Sequence, residues 1–238
     1  MARYSDYKDD HRMISLLTPQ HGRIDAIARG SRRSKSRLHG AIQPFAYSQY
    51  VLRKKGDRVS VVQADLLESF YDLRLDYERL LVASAVMEVC LYAMQPGEAD
   101  SPLFHLAYYA LSFLSYGEMD RSDLWVTFLA RFLDQQGYRP ATTRCSRCGA
   151  STYQNASFHA VLGALCHDCG HSKGGAAMAP LSLEALRRMM ALPVAQIGKI
   201  ILPRAVRTEL LEALPGYFLS HVGGNFKSAL LQPAPNNG

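Results

Sequence analysis

The sequence predicts a multidomain α+β protein, a small N-terminal β-barrel followed by a mostly helical domain that carries a four-cysteine insert. Three observations predict it. Hydrophobic residues alternate with period two as far as about Leu66, recur with helical period beyond it, and are interrupted there by two C-x-x-C pairs. A chain of 238 residues, 48% of them hydrophobic, is long enough to bury cores for these parts. The expected division is residues 1–67 for the barrel, 68–143 for the helical domain, 144–175 for the cysteine segment and 176–238 for C-terminal helices that pack with the helical domain.

The barrel is read from short runs separated by turns. RMISLLT is apolar, PQHG is a turn, and RIDAIARG sets Ile24, Ala26 and Ala28 on one face and Asp25, Ile27 and Arg29 on the other. AIQPFAYSQYVLR alternates again. KKGD makes a tight turn at Lys54 to Asp57, and RVSVVQADLL completes a hairpin. Several short strands in about 60 residues fit a small barrel.

Helical spacing then takes over. Leu73, Tyr77, Leu80, Leu81, Ser84, Met87 and Leu91 share one face until Pro96 and Gly97 stop the pattern. Ser101 and Pro102 form an N-cap and first-turn pair for a helix ending near Gly117. A third helix runs from about Arg121, buries Leu124, Phe128 and Phe132, and closes at Gly137. SLEALRRMMAL, PVAQIGKII, PRAVRTELLEAL and GYFLSHVGGNFKSALLQ read as further helices, punctuated by Pro193, Pro203, Pro215 and the Gly223 pair, and PAPNNG as a frayed tail.

Cys145, Cys148, Cys166 and Cys169 form two C-x-x-C pairs separated by seventeen residues, each pair followed by glycine. This spacing suits one tetrahedral Zn2+ between two tight turns. Two disulfides are disfavoured in a cytosolic chain, and a redox pair would need only one C-x-x-C beside a βαβ pattern. Four thiolates leave no coordination position open for water, so the expected zinc is structural. His159, His167 and His171 lie close in sequence, but the cysteines already fill four positions; Cys90 reads as a small buried hydrophobe.

The net charge of +6 conceals a partition. Residues 21–58 carry a net of +8, residues 65–134 a net of −8 and residues 135–238 a net of +6. The densest run is RGSRRSKSR at residues 29–37. It reads as a solvated loop or as a landing surface for a polyanion, and its place in a basic module favours the second. The acidic helical module reads as a docking surface for a protein.

Other classes are disfavoured. No P-loop, H-E-x-x-H, dinucleotide-binding glycine pattern, G-x-S-x-G or deaminase H-x-E triplet occurs, so an enzyme is not expected. No run of eighteen apolar residues is present, and MARYSDYKDDHRM lacks the pattern of a signal peptide. The expected location is the cytoplasm, with no membrane partner.

These parts, in this order, resemble the RecO family of bacterial recombination mediators. LLTPQHGRIDAIARGSRRSKSRLHGAIQPF resembles the family's N-terminal signature, ADLLESFYDLRLDYERLLVASAVMEV its entry into the helical domain, and SHVGGNFKSALLQ its C-terminal helix. The resemblance covers nearly the whole chain. It implies an OB-fold for the barrel, then a helical bundle with an inserted zinc-binding segment. Only Met1 and Ala2 precede Arg3, which implies a first strand either missing or shortened.

It also implies binding of single- and double-stranded DNA, annealing of strands coated with single-stranded-DNA-binding protein, and loading of RecA together with RecR in the RecFOR pathway, at the nucleoid. The expected DNA-binding residues are Arg23, Arg29, Arg32, Arg33, Lys35, Arg37, Arg53, Lys54 and Lys55. Tyr47 and Tyr50 are available for base stacking, as is Phe45, with packing as the alternative for all three. The partner protein's acidic tail needs a cation beside an apolar pocket, for which Arg121 and Arg131 are candidates; either equally serves as a surface ion-pair partner. The rival reading is a zinc-containing OB-fold module that binds RNA or the ribosome. A scaffold whose basic loop is incidental is the third.

Overall fold

In the computed structural model, which describes residues 1–152 and 155–231, five N-terminal strands form one sheet. They are β1 (Arg3–Tyr7), β2 (His11–Thr18), β3 (Gly22–Ala28), β4 (Tyr47–Lys55) and β5 (Arg58–Glu68), in the order β1-β2-β3-β5-β4. All neighbours are antiparallel except β3 and β5, which meet in parallel at Ile27 and Ser60. The alternation in β2 and β3 places Ile14 opposite Ala26 and Leu16 opposite Ile24. With Ala28, Ile42 and Val61 these residues build the sheet's core.

The expected barrel is open: among the described residues β1 and β4 are its unpaired edges. The reason lies in β1, whose RYSDY side chains are almost all exposed and offer no apolar row to bury against β4. Partly open five-stranded barrels are usual for the OB class. Arg53, Lys54 and Lys55 charge one end of the β4 edge, which discourages pairing with another chain.

The sheet belongs to the first of two units, Met1–Ser115, with α1 (Tyr77–Ala93) and α2 (Ser101–Tyr116, all but its last residue). Asp76 caps α1 by accepting from the backbone of Glu78 and Arg79. The cap of α2 is Asp100, which accepts from Leu103 N–H at 3.0 Å, one residue before the expected Ser101. A carboxylate is the stronger partner for the positive end of a helix.

Gly22 sits at φ +61, and a Cβ there would lie 2.0 Å from the Gln95 carbonyl oxygen and 2.4 Å from that of Glu98. The close approach latches two turns: Arg23 N–H donates to Gln95, and Gly97 N–H donates to His21. Gly22→Ala therefore combines positive-φ strain with two disturbed backbone hydrogen bonds, about 3 kcal/mol in all. The expected result is a melting temperature lower by roughly 6–12 °C. An unchanged melting curve would contradict the latch.

The second unit, Tyr116–Gly238, is built on α3 (Arg121–Gln135), whose Leu124, Trp125, Phe128 and Phe132 are all buried. The expected stop at Gly137 is present, with φ +81 and Tyr138 N–H donating to Leu133. A small sheet of β6 (Ser157–His159), β7 (Gly163–Leu165) and β8 (Ala176–Ala177) follows, with α4 (His167–Lys173) among its strands. Then come α5 (Pro180–Ala191), a 3-10 turn (Val194–Lys199) where a helix was expected, and α6 (Arg204–Val222). Prolines 193 and 203 bracket that turn and leave little room for an α-helix.

α6 joins the expected PRAVRTELLEAL and GYFLSHV segments by continuing through Pro215 and ends at Gly223, and of the expected helix beyond it only a 3-10 turn at Ala229–Leu231 is present. Burial of Leu214, Pro215, Tyr217 and Phe218 offsets the hydrogen bond the proline cannot donate. The PAPNNG tail lies outside the described residues.

One ion pair ties this unit together. Asp123 is 1% exposed and receives Arg207 Nε at 2.6 Å, Nη2 at 2.9 Å and Leu202 N–H at 3.0 Å; Asp120 takes Arg207 Nη1 at 3.0 Å. Arg207→Ala leaves a buried carboxylate without its counter-charge and should cost about 3–5 kcal/mol in a urea unfolding titration. A change below about 1 kcal/mol would refute that role. No helix among the described residues is long and apolar enough to cross a membrane.

Candidate nucleic-acid interface and metal centre

Strand register sorts the basic residues into two groups, a loop and a hairpin. Ile27 of β3 pairs with Ser60 of β5, which pairs with Arg53 of β4, so these three residues form one row across the sheet. β3 runs parallel to β5 and β4 antiparallel to it, so Arg29 follows β3 out of that row in one direction and Lys55 follows β4 out of it in the other. Arg29, Arg32, Arg33, Lys35 and Arg37 on the loop are exposed, as are Arg53, Lys54 and Lys55 on the hairpin. Gly56 at φ +58 makes the tight turn between β4 and β5.

Arg58, opposite Lys55 at the hairpin tip, is exposed too and belongs to this set. The local charge count contained it, but the expected site did not. Arg23 lies at the other end of β3. It is half-buried, donates to the Leu91 carbonyl at 3.3 Å and stands 3.7 Å from Asp25.

The end of β1 and the β1–β2 turn reach the end of the sheet from which the loop leaves, and bring acids with them. Asp10 accepts from Arg33 Nε at 2.9 Å, and Asp6 lies 3.8 Å from Arg32 Nε. Backbone contacts hold the loop there: Arg32 N–H donates to the Asp10 carbonyl, and Gly30 N–H donates to His11 Nδ1. The loop is thus an anchored feature with its guanidinium and ammonium groups facing water.

Tyr47 and Tyr50 line a cavity of about 520 Å3 beside the sheet, with Phe45, Phe70, Phe104 and Tyr108 among its walls. The Tyr47 ring meets that of Tyr108 edge-on at 5.2 Å. Tyr50 donates its hydroxyl to the Ala41 carbonyl at 2.5 Å, and burial pushes its pKa up to about 12. Phe45 is buried. A base stacked on either tyrosine would replace packing that the ring already has.

In the second unit, the sulfurs of Cys145, Cys148, Cys166 and Cys169 lie within 4.8 Å of one another, and Cys148 and Cys166 are 3.6 Å apart. Thiolates at about 2.3 Å from a tetrahedral zinc stand about 3.8 Å apart, so the four cysteines fit the ion and could hold it. Each pair is closed by its own backbone. Gly149 N–H donates to the Cys145 carbonyl and Gly170 N–H to that of Cys166.

Burial raises the Cys145 thiol, but backbone N–H groups of Cys166, Cys148 and Arg147 outweigh it and bring the pKa down to about 6. A Cβ on Gly170 would lie 1.7 Å from Ser157 Oγ and 2.8 Å from its Cβ, which explains the glycine after the second pair. His159 Nδ1 accepts from Val161 and Leu162 N–H, and the group among the described residues that could hold a metal ion consists of the four thiols.

Arg121 and Arg131 both lie on α3. Arg131 donates to Asp134 at 3.1 Å and to the Met190 carbonyl, with its side chain 13% exposed, and burial draws its pKa down. Arg121 is half-buried at the helix start and already has an interaction partner.

Comparison with known proteins covers both units. The family model Recombination protein O N terminal matches residues 2–70, and Recombination protein O C terminal matches residues 74–230. Proteins named DNA repair protein RecO are similar along most of their length. That of Pelotomaculum thermopropionicum is 30% identical over 230 residues, 96% of this chain and 89% of its own. That of Acetivibrio thermocellus is 30% identical over 90% of this chain and 86% of its own, and that of Alkaliphilus metalliredigens 29% identical over 96% and 94%.

Proposed function

This chain belongs to the RecO family of DNA repair and recombination proteins, and we propose that it acts there as a strand-annealing mediator. It binds single- and double-stranded DNA without sequence preference and anneals complementary strands coated with single-stranded-DNA-binding protein. With RecR it helps to load RecA in the RecFOR pathway, in the cytoplasm at the nucleoid. The observation that carries this reading is the exposure of Arg29, Lys35, Arg37, Arg53, Lys54 and Lys55 on the loop after β3 and the β4–β5 hairpin of one open five-stranded sheet.

The physical task fits that surface. Annealing brings two polyanions together, and cations that neutralise phosphates on both strands lower the repulsion and release condensed counterions. Contacts to phosphates read charge rather than sequence. Pairing of complementary strands is downhill once they meet, so no nucleotide hydrolysis is required and no catalytic residue is assigned.

The metal in this reading is one Zn2+ held by Cys145, Cys148, Cys166 and Cys169. It supplies cross-linking of the segment and no chemistry. The partner's acidic tail is assigned to Arg121 and Arg131 on α3, where it would have to compete with Asp134 for the latter. Tyr47 and Tyr50 are assigned to stacking only for bases that enter the cavity they line.

The test is a strand-annealing assay with each complementary strand precoated by single-stranded-DNA-binding protein and no nucleotide present. Acceleration by this chain is the expected result. No acceleration, together with tighter binding of RNA than of DNA, would transfer the assignment to an RNA-binding module.

A further inference from the structure

We infer that the acidic β1–β2 turn is a clasp that holds Arg32 and Arg33 until a polyanion displaces it, and so sets how densely charged a ligand must be to occupy the loop. This inference rests on the reading of that end of the sheet as a nucleic-acid surface. Five cations on a short loop would bind any anionic polymer, and two of them are already paired. Arg33 Nε stands 2.9 Å from Asp10, Arg32 Nε stands 3.8 Å from Asp6, and Arg32 Nη1 reaches the Lys8 carbonyl at 3.5 Å.

The pairs are exposed, with the Arg33 side chain 67% accessible and that of Asp10 44%. Exposed ion pairs are weak and screened by salt, so phosphates presented at high density can exchange with these carboxylates. The turn cannot drift away from the loop, because Arg32 N–H is bonded to the Asp10 carbonyl and Gly30 N–H to His11. The same acids therefore return whenever the ligand leaves. Lys35 and Arg37 have no acidic partner among the described residues and form the part of the loop that is open from the start.

Displacement changes the ion count. When phosphate replaces a carboxylate on an arginine, the freed carboxylate takes up a cation from solution, and the net counterion release for that contact is largely cancelled. Removing the carboxylate restores it. Asp10→Asn should steepen the log-log salt dependence of single-strand binding by about 0.7, and Asp6→Asn with Asp10→Asn by about 1.4. Affinity for an oligothymidine at about 0.1 M salt should rise roughly two- to fivefold per freed arginine.

Asp9→Asn is the control. It makes the same charge change in the same turn, and Asp9 has no ion pair among the described residues, so the slope should stay at the wild-type value. Melting temperatures report whether each variant is folded. Asp10→Asn alone tests the clasp even if loss of Asp6, which also lies 3.6 Å from Arg12, disturbs the strand.

If Lys35→Ala with Arg37→Ala flattens the slope while the Asp6 and Asp10 variants behave as Asp9→Asn does, the clasp is wrong and the surface stands. If Lys35→Ala with Arg37→Ala has no effect on the slope either, the surface reading falls and the clasp with it.

Discussion

Replacing Lys35, Arg37, Lys54 and Lys55 with alanine is expected to flatten the salt dependence of duplex binding by about 3.6 in log-log slope, 0.9 for each lost phosphate contact. Affinity at about 0.1 M salt should fall by about 10^3-fold. The four side chains are exposed and none has an acidic partner among the described residues, so the fold should survive their removal. Loss of affinity for every DNA sequence alike is part of the expectation, since backbone contacts carry no sequence information. A slope that does not move would make the run at residues 29–37 a solvated loop. Filter binding or fluorescence anisotropy across a salt series measures both quantities.

The second large effect is expected at the cysteines. Metal analysis of the purified chain should find one zinc per molecule, and Cys145→Ser or Cys148→Ser should lose it. A zinc held by four thiolates contributes on the order of 10 kcal/mol to the order of its segment. The variants should therefore lose the small β6–β7–β8 sheet, seen as a fall in protease resistance around residues 144–177. The cations assigned to DNA belong to the other unit, so the salt slope of DNA binding should remain. A Cys148→Ser protein with full metal content and unchanged protease resistance would refute the four-thiolate assignment.

How far the sequence could reach depended on the range of the interaction concerned. Period-two alternation located β2 and β3 because one face of each is buried, and C-x-x-C spacing located a four-cysteine cluster that could hold a metal ion because each pair closes locally. The capping of α2 moved by one residue since Asp100 and Ser101 are both capping types and only geometry selects between them. β1 had no apolar alternation to betray it, being almost wholly exposed.

Long-range electrostatics was not legible at all. Asp123 and Arg207 are 84 residues apart, and nothing in their local sequence distinguishes them from surface charges. Asp6 and Asp10 carry no local signal of a partner, and only the β1–β2 and β2–β3 registers bring them beside Arg32 and Arg33. Pro215 was read as a break because local preference opposes a helix there, and tertiary burial overrode it.

The most direct measurement compares annealing rates for two complementary strands coated with single-stranded-DNA-binding protein, with the wild-type chain and with the Lys35, Arg37, Lys54, Lys55 alanine variant, nucleotide absent. The wild type should accelerate annealing and the variant should return it to the uncatalysed rate, with acceleration by the wild type fading as salt is raised. Equal acceleration by the two proteins would contradict the claim that the exposed charge of the loop and the hairpin performs the annealing.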